Sequence, residues 1–267
     1  MSGAVAKRAV ELHGARIEYL EAGAGATVVF FHGAGGVSPN PAFIPMMAER
    51  YRILLPSRPG FDGSIGEAQT DRDVAALMGS FVRTIAGGPV HLIAESAGGA
   101  LACWQAILEP SVVESLVLVA PAAFHQRPSA GHEPPPGQGE LEERLFGRSP
   151  AWSTPPTEEE VARRRKNSAY HMTRWQSEPD EELLRRLAEI QARTLVLWGT
   201  ADRVIPPEQG ELYQRSIPRS HLVYVYGAAH SLPVAAAEPF VRLVTEFIEL
   251  GDTFVVNQDS TMEGPAV

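Results

Sequence analysis

The sequence predicts an α/β fold, a mostly parallel sheet with helices on both faces and a helical insertion over one end. Three observations predict it. Short apolar runs alternate with segments of helical period, several of those runs end in glycine or proline turns, and the alternation breaks once, between about residues 124 and 190.

Taken in order, a hairpin is expected around His13-Gly14, where glycine suits a tight reversal. Residues 27–31 read as a buried strand entering a glycine-rich turn, and 52–55 as another, ending at Pro56. Residues 71–86 place Val74, Leu77, Met78, Phe81 and Ile85 on one side of a helix. Strands follow at 90–94, 115–119, 194–198 and 221–226, with helices at 97–108 and 238–250. The core is thus expected over 1–123 and 191–267, and a cap over 124–190. Inside the cap, 128–139 is a proline- and glycine-rich loop. Thr157 with Glu160 forms a capping box for one helix. A second helix starts near Pro179 and carries Leu183, Leu184, Leu187 and Ile190.

Composition narrows the function classes. The 267 residues are 44% hydrophobic, enough for a sizeable core, and the formal net charge is −9. An acidic surface repels phosphate backbones, so no nucleic-acid partner is expected. The one cysteine, Cys103, has no partner for a disulfide and no neighbours for a metal site. No uninterrupted apolar run approaches membrane-spanning length, and the first residues lack the apolar core of a signal peptide. A cytoplasmic protein with no membrane partner, no metal and no cofactor is expected, acting on a small-molecule substrate.

The chemistry concentrates at strand ends. In His91-Leu92-Ile93-Ala94-Glu95-Ser96-Ala97-Gly98-Gly99 a strand runs into a serine and then a helix. Such a turn lifts the hydroxyl above the sheet edge and needs small residues two before and two after it, which Ala94 and Gly98 supply. A serine hydroxyl needs a base, and the base an orienting carboxylate. Leu195-Val196-Leu197-Trp198-Gly199-Thr200-Ala201-Asp202 delivers an aspartate just past one strand, and Tyr224-Val225-Tyr226-Gly227-Ala228-Ala229-His230 a histidine just past the last. No carboxylate stands at Ala120-Pro121-Ala122, the rival position for the acid. The turn Phe30-Phe31-His32-Gly33-Ala34-Gly35-Gly36 offers backbone N–H groups for an oxyanion, Ala34 first and Gly35 as the alternative, with Ala97 as second donor.

These four segments, with Ser57-Arg58-Pro59-Gly60-Phe61-Asp62-Gly63-Ser64 after the strand at 52–55, resemble the α/β-hydrolase superfamily. The resemblance covers nearly the whole chain outside the cap, and it departs from the usual Gly-x-Ser-x-Gly by Ala94. It implies an α/β-hydrolase fold and a Ser96, Asp202, His230 triad. Relatives that open epoxides or remove halides carry aspartate at the elbow, so serine implies acyl transfer to water. The leading expectation is a carboxylic-ester, lactone or thioester hydrolase with an acyl-enzyme on Ser96. A hydrolase of ketone-activated C–C bonds is the first alternative, favoured by a polar cap pocket holding Arg174 or His171. A catalytically slow ligand receptor is the second.

The remaining residues divide between structure and site. His32 is expected to hold its turn by hydrogen bonds. Glu95, His171, Trp175 and Phe124 are the candidate substrate contacts, with Tyr170, Met172 and Trp152 either beside them or packing the cap. Arg163, Arg164, Arg165 and Lys166 follow Glu159 and Glu160 at helical spacing, so a solvated, self-neutralised face is expected there.

Overall fold

The computed structural model describes residues 5–38, 40–68, 70–124, 137–174 and 179–254. The strands are β1 (Ala6–Leu12), β2 (Ala15–Ala22), β3 (Thr27–Phe31), β4 (Arg52–Pro56), β5 (Val90–Glu95), β6 (Val113–Val119), β7 (Arg193–Gly199) and β8 (Ser220–Val225). They form one sheet in the order β1-β2-β4-β3-β5-β6-β7-β8. The pairs β1–β2 and β2–β4 are antiparallel and every other pair is parallel. His13 and Gly14, at φ 50° and 80°, make the opening reversal, as their identity predicts.

The helices are α1 (Phe43–Ala48), α2 (Asp71–Phe81), α3 (Gly98–Leu108), α4 (Gln138–Phe146), α5 (Glu158–Arg174), α6 (Glu181–Arg186), α7 (Gly210–Ser216), α8 (Leu232–Ala235) and α9 (Ala237–Leu250). No described helix is long and apolar enough to cross a membrane. The central strands are apolar on both faces because both are covered. Val29, Phe31, Leu92, Ala94, Leu116, Leu118, Val196 and Trp198 face a core built with α2 and α3. Val28, Phe30, Ile93, Val117, Leu195 and Leu197 face the opposite core, with α1 and α9.

Strand order reverses at β3. The connection through α1 carries the chain from β3 to β4 on one side, and the connection through α2 carries it back across to β5 on the other. The carboxyl ends of β3 and β5 therefore open a crevice between diverging connections, where open α/β sheets place their sites.

The described residues of 124–190 divide between the crevice and the body of the fold. Helices α4 and α5 border the crevice. Helix α6, expected within the cap, instead packs against α3 and buries Leu183, Leu187 and Ile190 in the main core. Its N-cap Asp180 also accepts a hydrogen bond from Trp104 Nε1 at 3.0 Å, fixing the helix to the body.

Candidate active site

Strand β5 ends at Glu95 and α3 starts at Gly98, leaving Ser96 in the turn with φ +52°. A non-glycine residue in this left-handed region costs about 1–2 kcal/mol and persists only when its surroundings hold it. Here the Ser96 N–H donates to Val119 O at 2.9 Å, and Ser96 O accepts from Gly99 N at 2.8 Å and Ala122 N at 3.1 Å. Small neighbours are compulsory, as the sequence implies. A Cβ on Gly98 would lie 2.5 Å from Phe31 O and 2.8 Å from His32 O. Gly98→Ala is therefore expected to lose about 1–3 kcal/mol of stability, read by urea denaturation, because two backbone carbonyls must move.

The turn after β3 lies against this serine. A Cβ on Gly33 would sit 3.3 Å from Ser96 Cβ and 3.8 Å from its Oγ. His32 holds the turn. Its Nε2 accepts from Arg58 N at 3.1 Å, so the ring proton is on Nδ1, which donates to Gly33 O at 2.7 Å. Burial, with the Arg58 charge nearby, drives the His32 pKa down to about 3, so the ring stays neutral in this structural role. The Arg58 guanidinium adds a second hydrogen bond to Gly33 O at 3.1 Å and lies 4.3 Å from the Phe61 ring centroid.

Asp202 and His230 come together from two strand ends. His230 Nδ1 and Asp202 Oδ2 are 2.7 Å apart, and both side chains are almost fully buried. The same oxygen accepts from Trp198 Nε1 at 3.1 Å, while Oδ1 accepts from Val204 N at 2.8 Å and Ile205 N at 2.9 Å. The carboxylate is thus filled by donors on both oxygens. The two loops interlock at Gly199, where a Cβ would meet Ala228 O at 2.2 Å and Ala229 O at 2.6 Å. Helix α4 braces the histidine loop, since Ser231 N donates to Leu145 O at 2.8 Å.

A cavity of about 900 Å³ joins these parts. Ser96, His230, Ala34 and Gly35 line it, with Glu95 and His171. Ala97 is buried beneath, at the start of α3. Phe124, offered by the sequence as a contact, is not in the lining. Its ring packs edge-on against Tyr213 with centroids 4.7 Å apart, a partner from α7 that the sequence does not announce. Trp175 lies outside the described residues. Trp152 and Met172 line the cavity.

The charges in the wall differ from expectation in one respect. Arg163 and Arg164 turn inward instead of forming a solvated face. The Arg163 guanidinium donates to Val37 O at 3.3 Å and lies 3.5 Å from Asp62 Oδ1. Arg164 enters the cavity with its guanidinium 4.4 Å from the Phe146 ring centroid and 5.4 Å from that of Trp152. Burial lowers its pKa, opposed by the nearby carboxylates of Glu95, Glu142 and Glu160. Glu95 has its pKa raised by burial, opposed by a hydrogen bond with Ser231 and by the His230 and Arg164 charges. Burial, with the charge of Arg58, holds the His171 pKa down at about 4, leaving a neutral ring in the wall.

Such an arrangement can hand a proton from a serine to a neutral imidazole whose far nitrogen is fixed by a carboxylate, beside backbone donors and one buried cation. Known proteins match it over most of the chain. The profile of the alpha/beta hydrolase family matches residues 28–243. The 2-hydroxy-6-oxononadienedioate/2-hydroxy-6-oxononatrienedioate hydrolase 2 of Pseudomonas putida is 29% identical, over 88% of this chain and 92% of that protein. The 2-hydroxy-6-oxo-6-phenylhexa-2,4-dienoate hydrolase of Burkholderia cepacia is 27% identical over the same shares, 88% and 92%. Among solved structures, a serine hydrolase involved in carbazole degradation superposes with a TM-score of 0.75 at 24% identity, covering 92% of this chain and 100% of that one. With the strand order, the serine turn and the family match in agreement, this chain belongs to the alpha/beta hydrolase family.

Proposed function

We propose that this protein hydrolyses a carbon–carbon bond beside a ketone, in a substrate of the 2-hydroxy-6-oxo-dienoate class. The residues alone favour an ester, and one observation moves the reading to its alternative. Arg164 sits in the cavity between two aromatic rings. The guanidinium is half-buried and feels the Glu95, Glu142 and Glu160 charges without a close ion pair among the described residues, so its donors can take a substrate carboxylate directly. The substrates for which both relatives are named carry such a group next to a dienol, which supports the same reading. His171 in the wall adds to it.

The chemistry follows from the geometry. The enol proton first moves to the carbon next to the ketone, which gives a diketone. His230 then takes the Ser96 proton as Oγ adds to the ketone carbon. Asp202 orients His230 and stabilises its positive charge. Ala97 and Ala34 N–H groups, with Gly35 as the alternative, hold the tetrahedral oxyanion. The carbon–carbon bond breaks, and its electron pair delocalises into the remaining enone as a dienolate, which takes the His230 proton. Water, activated by His230, then attacks the acyl-enzyme, releases a carboxylic acid and returns the proton to Ser96.

The test is incubation with a carboxylated dienol ketone, followed by loss of its dienolate absorbance, beside a panel of esters, lactones and thioesters. Loss of absorbance at a higher kcat/KM than any ester supports the proposal. Ester turnover without it returns the protein to the ester reading, which the same triad serves. Arg164→Gln is expected to raise KM for the carboxylated substrate about 10- to 100-fold, the roughly 1.5–3 kcal/mol of a charged hydrogen bond, while KM for a neutral ester barely moves. Equal effects on both substrates would remove Arg164 from carboxylate recognition.

A further inference from the structure

Helix α5 is seated along one face on the loops that surround Ser96. Glu160, Arg163, Asn167 and Tyr170 recur at helical spacing on that face. Asn40 Nδ2 donates to Glu160 Oε2 at 2.9 Å, and Arg163 reaches Val37 O and Asp62. The Tyr170 ring meets Phe61 edge-on, with centroids 5.4 Å apart, and occupies the space a Cβ on Gly60 would need.

Asn167 is the centre of this seat and is 3% exposed. Its Nδ2 donates to Gly35 O at 3.1 Å and to Asp62 Oδ1 at 2.9 Å, and its Oδ1 accepts from Asp62 N at 3.2 Å. Asp62 continues the chain of bonds. Its Oδ2 accepts from Val37 N at 3.1 Å and from Ser57 Oγ at 2.6 Å. Gly36, at φ +79°, lies so close that a Cβ there would meet Asn167 Nδ2 at 2.2 Å. One cap side chain thus holds the turn at Gly35 directly, by its carbonyl, and at Val37 through Asp62. Both points lie immediately after the peptides assigned above to the oxyanion and fix the end of that turn.

We propose that Asn167 is a positioning residue: through Gly35 O and Asp62 it fixes the turn whose N–H groups hold the oxyanion, so that the cap sets the rate of acylation and does more than cover the substrate. The proposal rests on Ser96 as nucleophile and on the Ala34–Gly35 turn as oxyanion site, and it is independent of which carbonyl compound is cleaved. Asn167 touches no reacting atom in this scheme. Its effect passes through backbone geometry, to which oxyanion stabilisation is sensitive because donors must meet the position of the developing charge.

The charged and titratable groups around this point are Asp62 itself, Arg163, Arg164 and His171 on α5, and Arg58 and His32 from the turns after β4 and β3. Burial acts to raise the Asp62 pKa, but the hydrogen bonds from Ser57, Asn167 and Val37 help hold it below the usual carboxylate range, so it is ionised when it accepts from Asn167. Asn167→Asp keeps the shape but sets a second carboxyl against Asp62. Two carboxyls sharing a site raise one pKa, so at low pH the new group is protonated and can still donate. As pH rises it ionises and repels Asp62.

The experiment is the reaction of the protein with a small fluorophosphonate, resolved into initial binding and the phosphonylation step, with folding followed by circular dichroism. Asn167→Ala is expected to slow the phosphonylation step about 10- to 100-fold with initial binding unchanged, a fraction of what a whole oxyanion donor contributes. Asn167→Asp is expected to react at close to the wild-type rate near pH 5 and to fall behind progressively toward about pH 8. Taking the ratio to wild type at each pH cancels the pH effects that the two proteins share. Phosphonylation within twofold of wild type in a folded Asn167→Ala, or a pH-independent ratio for Asn167→Asp, would overturn the proposal. If wild type itself gives no Ser96 adduct, the failure belongs to the nucleophile assignment and not to Asn167.

Discussion

Replacing Ser96 by alanine is expected to remove about 10⁶-fold of kcat, the scale seen when one member of such a unit is lost. The fold should survive it. The bonds that hold Ser96 at φ +52° run from its backbone to Val119, Gly99 and Ala122, and alanine keeps them all. Alanine also keeps Cβ, so the cost of the left-handed conformation is unchanged. What disappears is the oxygen that becomes bonded to the substrate carbon. The oxyanion donors and Arg164 remain, so substrate binding should persist, visible as a perturbed dienolate spectrum without decay. Turnover within tenfold of wild type in a folded variant would place the chemistry elsewhere in the cavity.

Asp202→Asn is the second large effect, expected at about 10⁴-fold in kcat. Its origin can be read from the hydrogen bonds. One carboxylate oxygen accepts from Trp198 Nε1 and meets His230 Nδ1, and the other accepts from Val204 N and Ile205 N. An asparagine must put its NH₂ on one side or the other, and on either side that group faces N–H donors. Turned toward His230, it forces the proton onto Nε2, where the ring can no longer accept from Ser96. Turned toward Val204 and Ile205, it leaves two buried N–H groups without an acceptor, at about 1–3 kcal/mol each. The variant should lose activity through the wrong tautomer in the first orientation, and in the second through loss of the negative charge that stabilises the His230 imidazolium, so the tautomer and the melting temperature together register which one it takes. Nitrogen-15 spectra of the histidine ring, read beside thermal unfolding, distinguish them. Activity within tenfold of wild type would deny Asp202 its part.

Much of this was legible because chemistry and turn geometry coincide in sequence. Ser96 and Asp202 each follow an apolar run that is buried on both faces, and His230 follows the half-buried edge strand β8; such runs are visible without knowing what covers them. Gly98 and Gly199 stand where backbones nearly touch, so their smallness marks the site as clearly as the reactive groups do. The short helices α1, α7 and α8 were not legible, since four to seven residues give too little of a helical period to recognise.

The basic run on α5 misled for a different reason. Glu160 stands four residues before Arg164, the spacing of a surface ion pair, yet its Oε2 is already taken by Thr157 and Asn40. The capping box that starts the helix therefore removes the partner expected for Arg164, and the arginine turns to Phe146 and Trp152. No local pattern announces Asn167 either, because Asp62 and Gly35 lie more than a hundred residues away in the chain. Phe124 lies outside the cavity lining, a placement that no local pattern in the sequence announces. The ring of Tyr213, buried on α7, decides it.

The central claim is that Ser96 is an activated nucleophile served by His230 and Asp202. The most direct measurement is the intact mass of the protein after exposure to a small fluorophosphonate, with peptide mapping of the adduct and the His230→Ala variant alongside. One adduct on Ser96, lost in His230→Ala, is the predicted result. A folded protein that turns over a dienol ketone or an ester while Ser96 stays unmodified, or that labels equally well without His230, would contradict it.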